Sequence, residues 1–194
     1  MKFRAVIAFA AAAMLAGCGL NSVPTAEENA KARWADVQTN YQRRADLIPN
    51  LVSTVKGAAN SESQILTNVT NARAQANTIK VTGDDLTDPA KMSAYTQAQN
   101  GVTLSLQRLQ EAYPQLQSQE NFKTLMNQLE GTENRIAISI RDYNAAVQAY
   151  NTRIRTFPDA IGAKIFYGAK PMTPFEAKAG AENAPKVDFG GNSN

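Results

Sequence analysis

Two glutamates three residues apart, Glu130 and Glu133, have the residue type that a glycosidase uses as its acid and base. They stand beside the apolar pair Leu129 and Ile136 and next to Arg135, and no neighbouring sequence builds a cleft around them. Ion pairs inside a fold, with Arg73, Arg141 or Asp142 as neighbours across it, account for them more simply. A second polar group, Arg43, Arg44, Asp46 and Asn50, surrounds Pro49. Proline in a helix frees a backbone carbonyl, and guanidinium and amide groups are its natural donors. The local reading is therefore a capped kink with an Asp–Arg pair, and the functional reading is a candidate interaction patch for a partner's carboxylate or peptide end. Asp84, Asp85 and Asp88 make an acidic loop with Gly83, but their spacing is not that of an EF-hand and no distal glutamate follows. The 194 residues include no histidine. That removes Ser-His-Asp triads, imidazole metal sites and Glu-x-x-His di-iron bundles, so no metal, cofactor or catalytic residue is expected.

The residue type with the most definite chemistry is the single cysteine, Cys18. Lys2 and Arg4 precede a run of about thirteen apolar residues, a basic region followed by a hydrophobic one, as in a secretory signal. At about 1.5 Å per residue the run reaches some 20 Å, short of a hydrocarbon core about 30 Å thick. It ends in Leu15-Ala16-Gly17-Cys18, which resembles the lipobox of bacterial lipoproteins, where the cysteine is acylated and becomes the new N-terminus. Each buried acyl CH₂ contributes about 0.8 kcal/mol, so several chains (palmitate or similar) on one residue make a lasting anchor. With no second cysteine for an intramolecular disulfide, a bare thiol in an oxidising compartment would be a liability. Gly19, rather than the aspartate that retains such proteins in the inner membrane, points to the periplasmic face of the outer membrane.

Lys+Arg number 20 against 17 Asp+Glu; without Lys2 and Arg4 the bases fall to 18 and the net charge to +1. The strongest basic cluster is the pair Arg43-Arg44, too little for nucleic-acid binding.

Three apolar stripes of helical period must position these residues. The first opens at Thr25-Ala26-Glu27-Glu28, the spacing of a capping box, after a short lipidated tether over 18–24. It runs through Trp34, Val37, Tyr41, Ala45, Ile48, Val52, Val55 and Ala59 and predicts a helix kinked but not broken at Pro49. It continues through Leu66, Val69 and Ala76 to about Ile79, with Gly57 and Asn60-Ser61 as a candidate break. Asp88-Pro89 is an N-cap followed by proline at the first helical position, and the second helix runs to about Ala112 with Met92, Tyr95, Val102, Leu106 and Leu109 along it. Pro114 marks a turn. The third and strongest stripe is Phe122, Leu125, Leu129, Ile136, Ile140, Tyr143, Val147, Tyr150, Ile154 and Phe157, ended by Pro158. Trp34, Tyr41, Tyr143 and Tyr150 hold stripe positions, as core aromatics do. No segment alternates with period two. The expected fold is all-α, an elongated antiparallel up-and-down bundle with coiled-coil-like seams over 25–157, of three long helices or, if the first breaks, four. Residues 158–194 hold four of the eight prolines and five of the eleven glycines and read as a tail, partly disordered, whose scattered aromatics dock on the bundle or bind a partner.

The segment Tyr41-Gln42-Arg43-Arg44-Ala45-Asp46-Leu47-Ile48-Pro49-Asn50-Leu51-Val52 resembles the signature of the LemA family. The likeness extends to Asn71-Ala72-Arg73, Tyr113-Pro114-x-Leu116, Arg141-Asp142-Tyr143-Asn144, Tyr150-Asn151, Phe157-Pro158, Pro174-Phe175-Glu176 and Pro185-Lys186-Val187-x-Phe189. It implies a membrane-anchored helical bundle outside the cytoplasm, with no agreed activity, and an envelope or membrane protein as partner. Members usually carry one N-terminal membrane helix, and this chain has a lipobox in its place. The function expected is a membrane-anchored extracytoplasmic lipoprotein, a non-enzymatic scaffold or adaptor for envelope proteins, held to membrane lipid through acylated Cys18. The alternatives are a peptide or small-ligand carrier and an envelope hydrolase using carboxylates only. Oligomeric state is not legible.

Overall fold

A computed structural model of the chain describes residues 21–59 and 64–176; the signal region, Cys18, the Asn60-Ser61 break and the Pro185–Phe189 segment lie outside the described residues. Four long helices alternate in direction: α1 (Ser22–Ala59), α2 (Gln64–Thr78), α3 (Pro89–Ala112) and α4 (Glu120–Arg153). Short 3₁₀ turns, Asp84–Thr87 and Pro114–Ser118, precede α3 and α4, and a short helix α5 (Asp159–Gly162) continues as one wide turn over Ala163–Tyr167. The all-α bundle expected from periodicity is the fold, in its four-helix version. The 38 residues of α1 span roughly 57 Å at 1.5 Å per residue, so the body is elongated.

The spine is the antiparallel pair α1 and α4. Besides Val23 and Ala45, the buried positions along α1 are Ala30, Trp34, Val37, Tyr41, Arg44, Ile48, Leu51 and Val55. Their steps of four and three make an unbroken heptad seam, the packing geometry of left-handed helix pairs. On α4 the facing seam alternates large and small residues: Leu129, Thr132, Ile136, Ser139, Tyr143, Ala146 and Tyr150 are all buried. Thr132 and Ser139 satisfy their hydroxyls on the carbonyls of Gln128 and Ile136, so they fill seam positions at no unpaired cost.

Three details depart from the expected boundaries. Helix α1 begins at Ser22, inside the predicted tether, and Val23 is buried in the core; Thr25 is a first-turn residue whose hydroxyl donates back to the Asn21 carbonyl at 2.6 Å, so it does not cap. Helix α4 ends at Arg153, and Phe157, assigned above to the seam, is 82% exposed. With Trp34 packed on Tyr143 and Arg44 on Glu133, Ile154 falls level with Val23 near the start of α1, and position 157 lies beyond that start with no turn of α1 to face. Helix α1 passes through Pro49 and Gly57, as expected for the proline, and ends at Ala59; α2 begins at Gln64. Asp88 caps α3 as predicted, its Oδ1 accepting from the amides of Ala90 and Lys91.

The four helices overlap only over the upper part of the spine. There α2 and α3 complete a mostly aliphatic core of Ile48, Leu51, Val55, Leu66, Val69, Leu106, Leu109, Leu116 and Leu129, joined by Tyr113 and Phe122. The lower part of α1 and α4 is closed by the 79–88 connection and by residues 169–176, which run back up the bundle. Its core is aromatic: Trp34 packs against Tyr95, Tyr143 and Phe175 with ring centroids at 5.3, 5.2 and 6.4 Å, and Tyr41 against Tyr95 and Phe175 at 5.7 and 6.2 Å.

Candidate functional site

Between the two cores lies one polar layer, built on Arg44. The heptad register turns this side chain inward, where it is 2% exposed. Its Nη1 donates to Thr103 Oγ1 and to Glu133 Oε1, each at 2.8 Å. Its Nη2 donates to the carbonyl and to Oε1 of Gln99 at 3.1 and 2.7 Å. The guanidinium carbon sits 4.9 Å from the Tyr41 ring centroid, a cation–π contact on its apolar face. One residue of α1 thus ties α3 and α4 at a single level. A buried guanidinium is tolerable only when its donors are this fully engaged.

The predicted patch is divided by this arrangement. Arg43, Asp46 and Asn50, three and four residues apart, share an exposed face of α1, whereas Arg44 is turned away from them into the bundle. Asp46 accepts from Gln42 Nε2 at 2.7 Å, and no Asp–Arg pair forms at the kink. The kink is capped from a different helix: Pro49 cannot donate to the carbonyl of Ala45, and Arg73 Nε on α2 donates to it at 2.7 Å. The spacing argument found the need for a guanidinium and looked for it beside the proline, in Arg43 and Arg44, whereas the donor is Arg73. The signal that marks Arg44 was in the stripe itself, because the steps 37, 41, 44, 48 put it on the heptad beside Ala45, which is buried as expected.

Glu133 and Thr103 also form the inner wall of a groove of about 580 Å³ between α3 and α4 near the upper end of the bundle. Leu106, Phe122 and Leu129 make its apolar floor, and Lys123, Glu130 and several glutamines its rim. Nothing in the residue pattern marked this cleft, and the two glutamates do share it. Their roles differ, since Glu133 is the counter-ion of Arg44 while Glu130 is exposed. Arg73 and Arg141 do not meet them; Arg141 lies 3.5 Å from its neighbour Asp142 at the surface. The acidic loop is structural as well: Asp85 accepts from the amide and hydroxyl of Thr82 and pairs with Lys91, contacts that hold its carboxyl well below the usual range. Among the described residues no acidic or thiol cluster has the arrangement of a metal site.

The remaining polar machinery holds the tail. Asn144 and Asn151 lie seven residues apart on one face of α4, about 10.5 Å along the axis. Met172 and Phe175 lie three residues apart in extended chain, about 10 Å. Each asparagine pairs with one of them in both directions. Asn151 donates to the Met172 carbonyl and accepts from its amide, both at 2.8 Å; Asn144 does the same with Phe175 at 3.0 and 2.7 Å. Tyr143 OH donates to the Thr173 carbonyl, and the Thr173 amide to the Leu86 carbonyl. The strap thereby buries Met172 and Phe175. Burial pushes the Tyr95 phenol up to about 12, and those of Tyr41 and Tyr143 up as well.

Comparison with known proteins bears on the whole of this arrangement. A profile described as the LemA family matches residues 33–189, from the start of the aromatic core through the strap and beyond. The chain belongs to the LemA family. Among curated relatives, Magnetosome protein MamQ 2 of Paramagnetospirillum magneticum is 29% identical over 79% of this chain and 62% of its own length. Magnetosome protein MamQ of Magnetospirillum gryphiswaldense is 28% identical over 71% of this chain and 58% of its own. Protein LemA of Metamycoplasma hominis is 26% identical over 62% of this chain and 52% of its own. The chain therefore matches only about half to three fifths of the length of these relatives, and none of their names denotes a reaction. In this LemA-family chain the segments that carry the resemblance are those that lock the fold. Tyr41–Val52 supplies the Arg44 layer and the kink, Arg73 caps the kink, and Asn144 and Asn151 hold the strap at Met172 and at the Phe175 of Pro174-Phe175-Glu176.

Proposed function

We propose that the protein is a membrane-anchored extracytoplasmic lipoprotein that acts without catalysis, an elongated adaptor presenting the α3–α4 groove to an envelope protein. The observation that carries this reading is the position of the groove. Cys18 is three residues from Asn21 and so within about 11 Å of the lower end of α1. The groove lies at the opposite end, lined by Phe122 and Glu133, roughly 30 to 45 Å up α4 from Arg153 at 1.5 Å per residue. Among the described residues no helix is long and apolar enough to cross a membrane, and the anchor proposed is the lipid on Cys18. With Gly19 after the cysteine, the periplasmic face of the outer membrane is the proposed address.

The glutamates, the reason for entertaining a hydrolase, have a simpler use: one neutralises Arg44 and the other lines a rim of mixed charge. An apolar floor with a polar rim is the anatomy of a protein-binding surface. In cells, a photo-crosslinking residue at Asn127 on the groove should capture an envelope protein that the same residue at Gln148, an exposed position near the lower end of α4, does not. Mass spectrometry of the isolated protein should find a lipid-bearing Cys18 at the N-terminus. Turnover of an envelope polymer by the purified protein, abolished by Glu130→Gln with the fold intact, would contradict the adaptor reading in favour of the hydrolase.

A further inference from the structure

The lower tip of the bundle carries apolar side chains that the fold leaves uncovered. Phe157 is 82% exposed, Ile161 53%, Ile165 69% and Phe166 67%. Phe157 stands just before α5, Ile161 within it, and Ile165 and Phe166 in the wide turn after it, so the exposed apolar side chains gather within ten residues at the tip. Monomeric soluble proteins seldom gather exposed apolar residues in this way without a use for them. The inward position of the tip is taken by Ala163, which is buried in the same core as Val23 and Tyr150.

We propose that this tip is a second membrane contact, seated in the lipid interface beside the N-terminal anchor. The inference rests on the membrane-anchored reading above. Two observations select a bilayer as the occupant. The first is continuity: α5 packs against α1, and Val23, two residues beyond Asn21, shares the core with Ala163, so a lipid on Cys18 brings the bilayer surface to the tip. The second is charge: Arg155, Lys164 and Lys170 are exposed around the apolar residues, while the one acid of α5, Asp159, lies 3.9 Å from Arg153. Apolar residues flanked by cations are the composition of interfacial elements on anionic lipid. Two contacts fix what one lipid leaves free, namely the inclination of the bundle, and with it the height at which the groove is held.

The test uses the full chain purified from membranes and reconstituted in vesicles of phosphatidylethanolamine and phosphatidylglycerol. A nitroxide is attached at Phe166→Cys or, as the aqueous reference, at Ser118→Cys at the upper end, and circular dichroism checks that each variant keeps its helix content. The expected result is that the label at 166 collides with dissolved oxygen in preference to a water-soluble nickel chelate, the reverse of the preference at 118. Phe157→Ser combined with Ile165→Ser should move the label at 166 toward the aqueous preference. If a helical protein with acylated Cys18 shows the same aqueous preference at both positions, the tip contact is overturned and the anchor stands. Dipolar broadening between labels at 166, from two copies meeting at the tip, overturns it in favour of self-association. A label at 166 in lipid with an unmodified Cys18, read from the mass of the same sample, supports the tip contact and removes the lipid anchor instead.

Discussion

The upper and lower halves of the bundle solve the same packing problem with different materials. Above Arg44, four helices and the Pro114–Ser118 turn enclose a core that is mostly Leu, Ile and Val, with Tyr113 and Phe122 among them. Below it α1 and α4 continue with only the first turns of α3, which bring in Met92 and Tyr95, and the rest of the closure is a connecting loop and an extended strap around Trp34, Tyr41, Tyr95 and Tyr143. Aliphatic side chains suit the upper half because heptad seams interdigitate them well. Large rings suit the lower half because irregular backbone packs with gaps that a side chain of roughly 150–250 Å² spans, and because Tyr and Trp also satisfy backbone groups there. Trp34 Nε1 donates to the Val81 carbonyl at 2.9 Å, and Tyr143 OH to Thr173, holding the loop and strap that a helix would have held by itself. Helical packing makes a rigid platform, and the substitute makes a closure able to open locally.

The comparison can be broken most severely at the layer the halves share. Arg44→Ala leaves Gln99, Thr103 and Glu133 without their donor and should cost about 3–5 kcal/mol, lowering the unfolding midpoint of both halves together in a denaturant titration followed by circular dichroism. Leu109→Ala, in the fully buried upper core, should cost about 2–5 kcal/mol and act on the whole bundle in the same titration.

Alkaline titration separates the halves without mutation. The Tyr95 phenol is raised from 10.0 to about 12 by burial, so its neutral form is favoured in the folded state; that stability is fully present below pH 10 and is lost as pH rises through 12. Tyr41 and Tyr143 shift the same way for the same cause. The aromatic half should therefore loosen between pH 10 and 12, read as tyrosinate absorbance rising together with loss of the near-ultraviolet circular dichroism of Trp34, while the far-ultraviolet helix signal lags behind. A smaller effect is expected at the strap's fasteners. Asn144→Ala removes two hydrogen bonds from a half-buried site and should cost about 1–3 kcal/mol, with faster amide exchange over 169–176 and an unchanged upper half. Glu133→Gln keeps an oxygen for Arg44 Nη1 to donate to but removes the counter-charge of a buried guanidinium, so its denaturation midpoint should fall below that of the unmodified chain and stay above that of Arg44→Ala.

Residue spacing alone determined the all-α bundle, the cap at Asp88, the continuity through Pro49 and the core status of the aromatics. These are local properties: a helix repeats every 3.6 residues, so which side chains share a face follows from counting along the chain. The same count places Arg44 on the seam once Leu51 and Ile48 are taken as its neighbours, although proximity to Pro49 grouped it with Arg43, Asp46 and Asn50 as a patch. Only the tertiary structure decided what Arg44 meets, since Gln99 and Glu133 lie 55 and 89 residues away in sequence, and what caps the kink, since Arg73 is 28 residues from Ala45. It also decided between three helices and four, left Phe157 exposed and laid the strap along α4 in the lower half. Those outcomes depend on where one helix ends relative to another, a relation between distant segments set by the free energy of the whole packed body and by no single stretch of chain.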